Sequence, residues 1–252
     1  MRHRTPAPFQ ERVEMLIPPL PWDRQAHRGP ETGAEKVVLL HGLGRSWRAM
    51  NPLARKLQQA GFSTLNLPYP SLVKPLDWIL DHVDAQVAGF AEGGRVHFVT
   101  HSLGGIVTRM LLEREHHWAA GRLVMMAPPS SGSEIIDWAS RRVMFRPFLS
   151  SAARALASDA LQARLAGLRQ DQEALVIMGN RSSIPFFRRL LDEDNDGIVS
   201  SNRGRVDGLK GFSVVDADHT FIQIHPEAVR QTIDFLREGR CPGTLSGESA
   251  VS

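Results

Sequence analysis

The 252 residues, 42% of them apolar, can bury one sizeable core, which excludes a disordered or low-complexity chain. Thirty Lys and Arg stand against 27 Asp and Glu, a net charge of +3, and the excess is spread along the chain and not gathered in a tract. That distribution speaks against nucleic acid as a partner and leaves at most a weak attraction to an anionic surface.

The single cysteine, Cys241, excludes an internal disulfide and fits a reducing compartment. Met1 to Pro21 carry Arg2 and Arg4 but no apolar core of a signal peptide, because Met15-Leu16-Ile17 is stopped by Pro18-Pro19. No segment reaches the roughly 18 continuous apolar residues of a transmembrane helix. A cytoplasmic protein is expected.

Residues 1–35, rich in Pro, Arg and His, read as an arm or peripheral turn, with Val13 to Ile17 as a short edge element. Lys36 to Leu40 is a continuous apolar run, as expected of a central parallel strand buried on both faces. Ser46 then reads as the N-cap of a helix from Trp47 to about Gln59. Phe62 to Leu67 is the next strand, and Leu76 to Phe90 an amphipathic helix. Val96 to Thr100 is a strand that ends in His101-Ser102-Leu103-Gly104-Gly105, and a helical pattern then runs to about Glu115.

A strand comes next, at 122–127, followed by a helical insert over about 130–172. Ala174 to Gly179 is a strand, Ile184 to Leu191 a short helix or loop, and Asp192 to Gly197 a turn. Gly211 to Val215 is the last strand, and Pro226 to Arg237 the closing helix with Pro in its first turn. Residues 239–252 form a polar tail. Strands and helices alternate across 36–238, the signature of an α/β domain with a mostly parallel central sheet flanked by helices.

A strand, a sharp turn carrying Ser102 and a helix are what a nucleophile elbow requires, since the turn lifts Oγ out of the sheet in front of a helix N-terminus. Serine is a weak nucleophile at neutral pH and needs a base oriented by a third group. His219 follows the strand ending at Val215, and Asp196 lies in the loop system after Gly179. Their order in the chain, Ser102, Asp196, His219, suits an open parallel sheet with reactive groups at the carboxyl ends of its strands. His225 is the rival base, set just before Pro226. Asp192, Asp194, Asp216 and Asp218 are rival acids. The backbone N–H groups of Leu43 and Leu103 are candidate oxyanion donors, with His41, Gly42 and Gly44 supporting the first loop. The run Asp192-x-Asp194-x-Asp196-Gly197 also opens like a calcium loop, but Arg203 occupies the twelfth position, where a bidentate Glu belongs. No metal and no organic cofactor are expected.

On Val37 to Gly44, Thr100 to Gly105, Asp196 to Ser200 and Asp218 to Phe221, the chain resembles the α/β-hydrolase superfamily, in its bacterial lipase/esterase-like branch. The resemblance covers roughly 36–238 and implies a Ser102–Asp196–His219 triad with Leu43 and Leu103 in the oxyanion hole. Thr100 departs from the Gly that opens the family's Gly-x-Ser-x-Gly pattern. Phe221 stands where some secreted lipases carry a calcium-binding Asp. The expected function is hydrolysis of small acyl esters, with acyl transfer or a catalytically silent binding module as alternatives. The insert is expected to be either a partial cap that sets acyl preference, with Arg141 and Arg142 facing outward, or a plain packed helical connection.

Overall fold

Six of the apolar runs become parallel strands of one sheet. In the computed structural model residues 9–20, 23, 25–29, 35–132, 137, 151–154, 165, 167–182, 191 and 194–242 are described. The strands are β1 (His27–Arg28), β2 (Lys36–Leu40), β3 (Ser63–Leu67), β4 (Arg95–His101), β5 (Ala119–Met126), β6 (Ala174–Gly179) and β7 (Gly211–Val215). Their order across the sheet is β1-β3-β2-β4-β5-β6-β7, with β1 antiparallel to β3 and every other pair parallel.

Because side chains alternate along a strand, the central strands feed two separate cores. Val38, Leu40 and Phe98 pack on one face with α3 (Leu76–Ala91) and α4 (Leu103–Leu112). Val37, Leu39 and Val99 pack on the other with α2 (Asn51–Gln59) and a C-terminal helix, α5 (Pro226–Glu238). Burial on both faces explains why β2 and β4 read as uninterrupted apolar runs.

The register of the sheet places the site. Leu40 pairs with Thr100, His101 with Met126, Met126 with Ile177, and Gly179 with Val215. The carboxyl ends of β2, β4, β5, β6 and β7 therefore lie along one edge, and the loops leaving them share one surface.

Three sequence expectations are corrected. Val13 to Ile17 is no edge element: Phe9–Leu16 is a helix, α1, with Met15 buried, and the edge strand is β1. Gln, Glu, Arg, Met and Leu are strong helix formers, and here one apolar anchor suffices. The helix expected from Trp47 is split into a 3₁₀ turn, Trp47–Ala49, and α2, with Pro52 in the first turn of α2. A proline ring clashes with the carbonyl four residues earlier, so one helix cannot run through both. Ser46 makes no side-chain cap, and its Oγ instead donates to Ile17 O at 3.3 Å. Finally, α4 stops at Leu112, short of Glu115. Most of the insert, including Arg141 and Arg142, lies outside the described residues, as do residues 183–190 and the tail beyond 242.

Candidate active site

Ser102 sits between β4 and α4 with φ 52° and ψ −119°. A non-glycine residue with positive φ is uncommon and costs about 1–3 kcal/mol, so it persists only where its surroundings enforce it. Here Ser102 N–H donates to Met126 O at 2.9 Å, and Ser102 O accepts from Gly105 N–H at 3.0 Å. Gly104 is required by close approach, since a Cβ there would stand 2.6 Å from Leu40 O. Thr100 fits where the pattern has Gly. Its side chain is buried, and its hydroxyl donates to Val124 O at 3.3 Å on the adjacent strand. Ser102 Oγ makes no hydrogen bond to another described residue.

Asp196 and His219 meet. Asp196 is 1% exposed, and its Oδ2 lies 2.7 Å from His219 Nδ1. Its Oδ1 accepts from Ile198 N–H at 3.0 Å and Val199 N–H at 2.8 Å. Val199 is buried in the sheet's core and Ile198 packs against it, which fixes the direction of the carboxylate. A second bond, His219 N–H to Asp196 O at 3.0 Å, ties the two loops together. Carboxylate contact at Nδ1 assigns the proton to that nitrogen and leaves Nε2 as the basic one.

The rivals are employed elsewhere. Asp218 Oδ1 accepts from the backbone N–H groups of Thr220 and Phe221 at 2.9 and 3.0 Å. Asp194 and Asp216 are exposed, and Asp192 is outside the described residues. His225 takes the N-cap position of α5. Both Asp196 oxygens are filled by N–H donors. Among the described residues no cluster of three or more His, Cys, Asp or Glu is placed to hold a metal.

The loop after β2 supplies the other wall. Leu43 lies in a turn closed by Arg45 N–H to Gly42 O at 3.2 Å, and Gly44 N–H donates to Ser71 Oγ at 3.0 Å. A Cβ on Gly42 would come within 3.0 Å of His101 Nδ1 and 3.2 Å of Ser102 Cβ, so only glycine lets this loop lie against the elbow. Leu103 opens α4, and its N–H is among the first four that a helix leaves without an intrahelical acceptor. His41 is hydrogen-bonded within the same wall. Nδ1–H donates to Gly42 O at 2.9 Å, Nε2 accepts Tyr69 N–H at 3.3 Å, and the ring stacks on Tyr69 at 4.1 Å.

One residue exceeds its sequence reading. His101, named in the sequence only as the residue before Ser102, reaches to the backbone of His219. Its Nε2 lies 2.8 Å from His219 O, and the two rings are 4.8 Å apart. Burial first, then the neighbouring His219 and Arg45, hold the His101 ring well below the ordinary histidine pKa. The signal was the period of two: Val99 faces the α2/α5 layer, and His101 two residues on faces the same side.

Comparison with known proteins agrees with this fold. The sequence matches the alpha/beta hydrolase family over residues 37–232, and the chain belongs to that family. Among solved structures, the mature lipase BlEst2 of Bacillus licheniformis is 17% identical, with a TM-score of 0.66, covering 79% of this chain and 93% of that one. An esterase of Thermogutta terrifontis is 14% identical with a TM-score of 0.56, covering 84% and 93%. Phospholipase PlaB of Legionella pneumophila is 14% identical with a TM-score of 0.60, covering 81% and 60%. At such identities the likeness establishes the fold. No curated protein matches the sequence.

Burial pushes the His41 pKa from 6.5 down to about 4. The folded value lies below the unfolded one, so the unfolded chain takes up the proton first as pH falls. The stability this group contributes is fully present above pH 6.5 and is lost as pH drops towards 4, by about 3 kcal/mol. Chemical denaturation across that window should show a shallower acid-side decline for His41→Gln than for the wild type. Parallel declines would contradict the assignment.

Proposed function

We propose that the protein is a serine-dependent hydrolase of carboxylic esters, acting on small acyl esters through an acyl-enzyme. The observation that carries this reading is the buried Asp196–His219 pair, 2.7 Å apart, at the sheet edge that also holds the strained elbow of Ser102. His219 Nε2 takes the Ser102 proton as Oγ attacks the ester carbonyl. The N–H groups of Leu43 and Leu103 hold the oxyanion as it forms. The alcohol leaves with the proton from His219, and water then cleaves the acyl-enzyme with the roles reversed. Each proton in this scheme moves through His219, while Asp196 fixes its tautomer and stabilises the imidazolium. Hydrogen bonds between nucleophile and base are often long in unliganded enzymes and tighten around substrate, which accords with the unpaired Ser102 Oγ. The lipase and esterases among the structural neighbours support the same class of substrate.

Turnover of p-nitrophenyl esters should fall at least about 10³-fold in Ser102→Ala, since an elbow serine and its base act as a unit. Full activity in that variant would refute the mechanism. His101 is a positioning residue in this scheme. His101→Leu should lower kcat by about 10- to 100-fold with little change in KM, as expected when a base is displaced by a fraction of an ångström. His101→Gln, whose amide nitrogen can reach the same carbonyl, should recover most of that loss. Equal losses in the two variants would show that the contact to His219 O does not position the base.

A further inference from the structure

A cavity of about 740 Å³ opens between Pro19, Leu20 and Asp23 on one side and the loop 68–74 with the first turn of α3 on the other. Its size falls within the roughly 300–1,000 Å³ of small-molecule sites. None of Ser102, Asp196 and His219 lines it. The loop after β2 stands between, with His41, Arg45 and Ser46 on the cavity and Gly42 against Ser102. An occupant is therefore held beside the catalytic centre and not in it.

The neutral polar groups of the wall are used within the protein. Tyr69 O–H donates to His41 O, Ser71 Oγ accepts from Gly44 N–H, and Ser46 Oγ donates to Ile17 O. The lining carboxylate, Asp23, accepts from Leu20 N–H, Trp47 Nε1–H and the Arg48 guanidinium, and Arg48 cancels its charge. Two lining cations have no such counter-charge. Arg45 donates to the neutral Thr220 Oγ1 at 3.4 Å, and Lys74 Nζ sits 5.0 Å from the Trp78 ring centroid. Neither makes an ion pair among the described residues. Burial holds the Arg45 guanidinium below its ordinary pKa, and Asp218 opposes this only in part. A cation drawn out of water in this way gains most from an anion that replaces its hydration.

The rest of the wall is carbon. Leu20, Tyr69, Leu72, Val73 and Trp78 line it, and three of these keep apolar surface in water: Leu72 is 52%, Val73 81% and Trp78 39% exposed. A bare inorganic anion would leave that surface wet, and an uncharged hydrocarbon would leave the guanidinium without a counter-charge. A ligand that answers both carries a negative head on an apolar body. The Arg45 fork suits the paired oxygens of such a head, and Lys74 supplies a point charge.

We propose that this cavity binds an amphipathic organic anion, a carboxylate, sulfonate or phosphate head on an aliphatic or aromatic body. Arg45 and Lys74 take the head, and Leu72, Val73 and Trp78 cover the body. The assignment is independent of the ester-hydrolase reading.

Three probes separate head from body in calorimetric titrations: 1-octanesulfonate, 1-octanol and inorganic sulfate. The sulfonate should bind one to one and at least about tenfold more tightly than octanol, because only it meets the two cations. It should exceed sulfate by at least about 100-fold, since each buried methylene adds about fourfold. Added salt should weaken the sulfonate and spare octanol. Lys74→Gln, at an exposed position, and Arg45→Gln should each weaken the sulfonate at least about fivefold with octanol unchanged, whereas Leu72→Gln should weaken both. Ser102→Ala should bind the sulfonate as the wild type does. Octanol as tight as the sulfonate would remove the anionic head from the assignment, and sulfate as tight would remove the apolar body. No binding of the sulfonate, binding unmoved in both Lys74→Gln and Arg45→Gln, or binding lost in folded Ser102→Ala would remove the site itself. Each of these results overturns the proposal.

Discussion

A carboxylate buried to 1% exposure survives only if its lone pairs are filled, and the Asp196 side chain is filled by three N–H groups. Desolvating one such ion costs several kcal/mol, and hydrogen bonds to charged groups return about 1.5–3 kcal/mol each. Two of the donors are backbone amides two and three residues further along, so the turn that places Asp196 also satisfies it. The third is His219 Nδ1–H, which cannot leave without uncovering a buried charge. The imidazole is thereby held in one tautomer and one direction. Every other feature of the site depends on that orientation.

Around this pair the protein uses neutral histidines as struts. His101 joins the elbow to the backbone of His219, and His41 joins the loop after β2 to Tyr69. Burial keeps both uncharged, so neither opposes a positive charge on His219 during the proposed reaction. Arg45 adds a third tie, from the loop after β2 to Thr220. Four strand-end loops are therefore fastened to one another by side chains whose cost of burial is set by the fold and whose benefit is the geometry of the site.

Much of this was legible in the sequence because it follows from local rules. Uninterrupted apolar runs marked the doubly buried strands, and the order Ser102, Asp196, His219 named one aspartate and one histidine that the structure brings together. Ile198 and Val199, the apolar pair just after Asp196, pack in the core and turn their N–H groups to its carboxylate. What escaped were relations between distant segments. The alternation of β4 shows which face His101 takes but not that the His219 carbonyl waits there, 118 residues later. The arm was misread at Val13 to Ile17 because one buried residue, Met15, leaves no period to detect. A cavity behind the loop after β2 joins residues near 20, 45 and 70, the last two brought together by the pairing of β2 with β3.

The central claim is that an acyl group is carried on Ser102. The protein can be quenched in acid during turnover of a p-nitrophenyl ester, digested, and its peptides weighed by mass spectrometry. The account predicts the acyl mass on the peptide containing Ser102, with the amount trapped rising when water attack is slowed. Turnover accompanied by acylation of a different residue, or by no adduct under any quench, would contradict it.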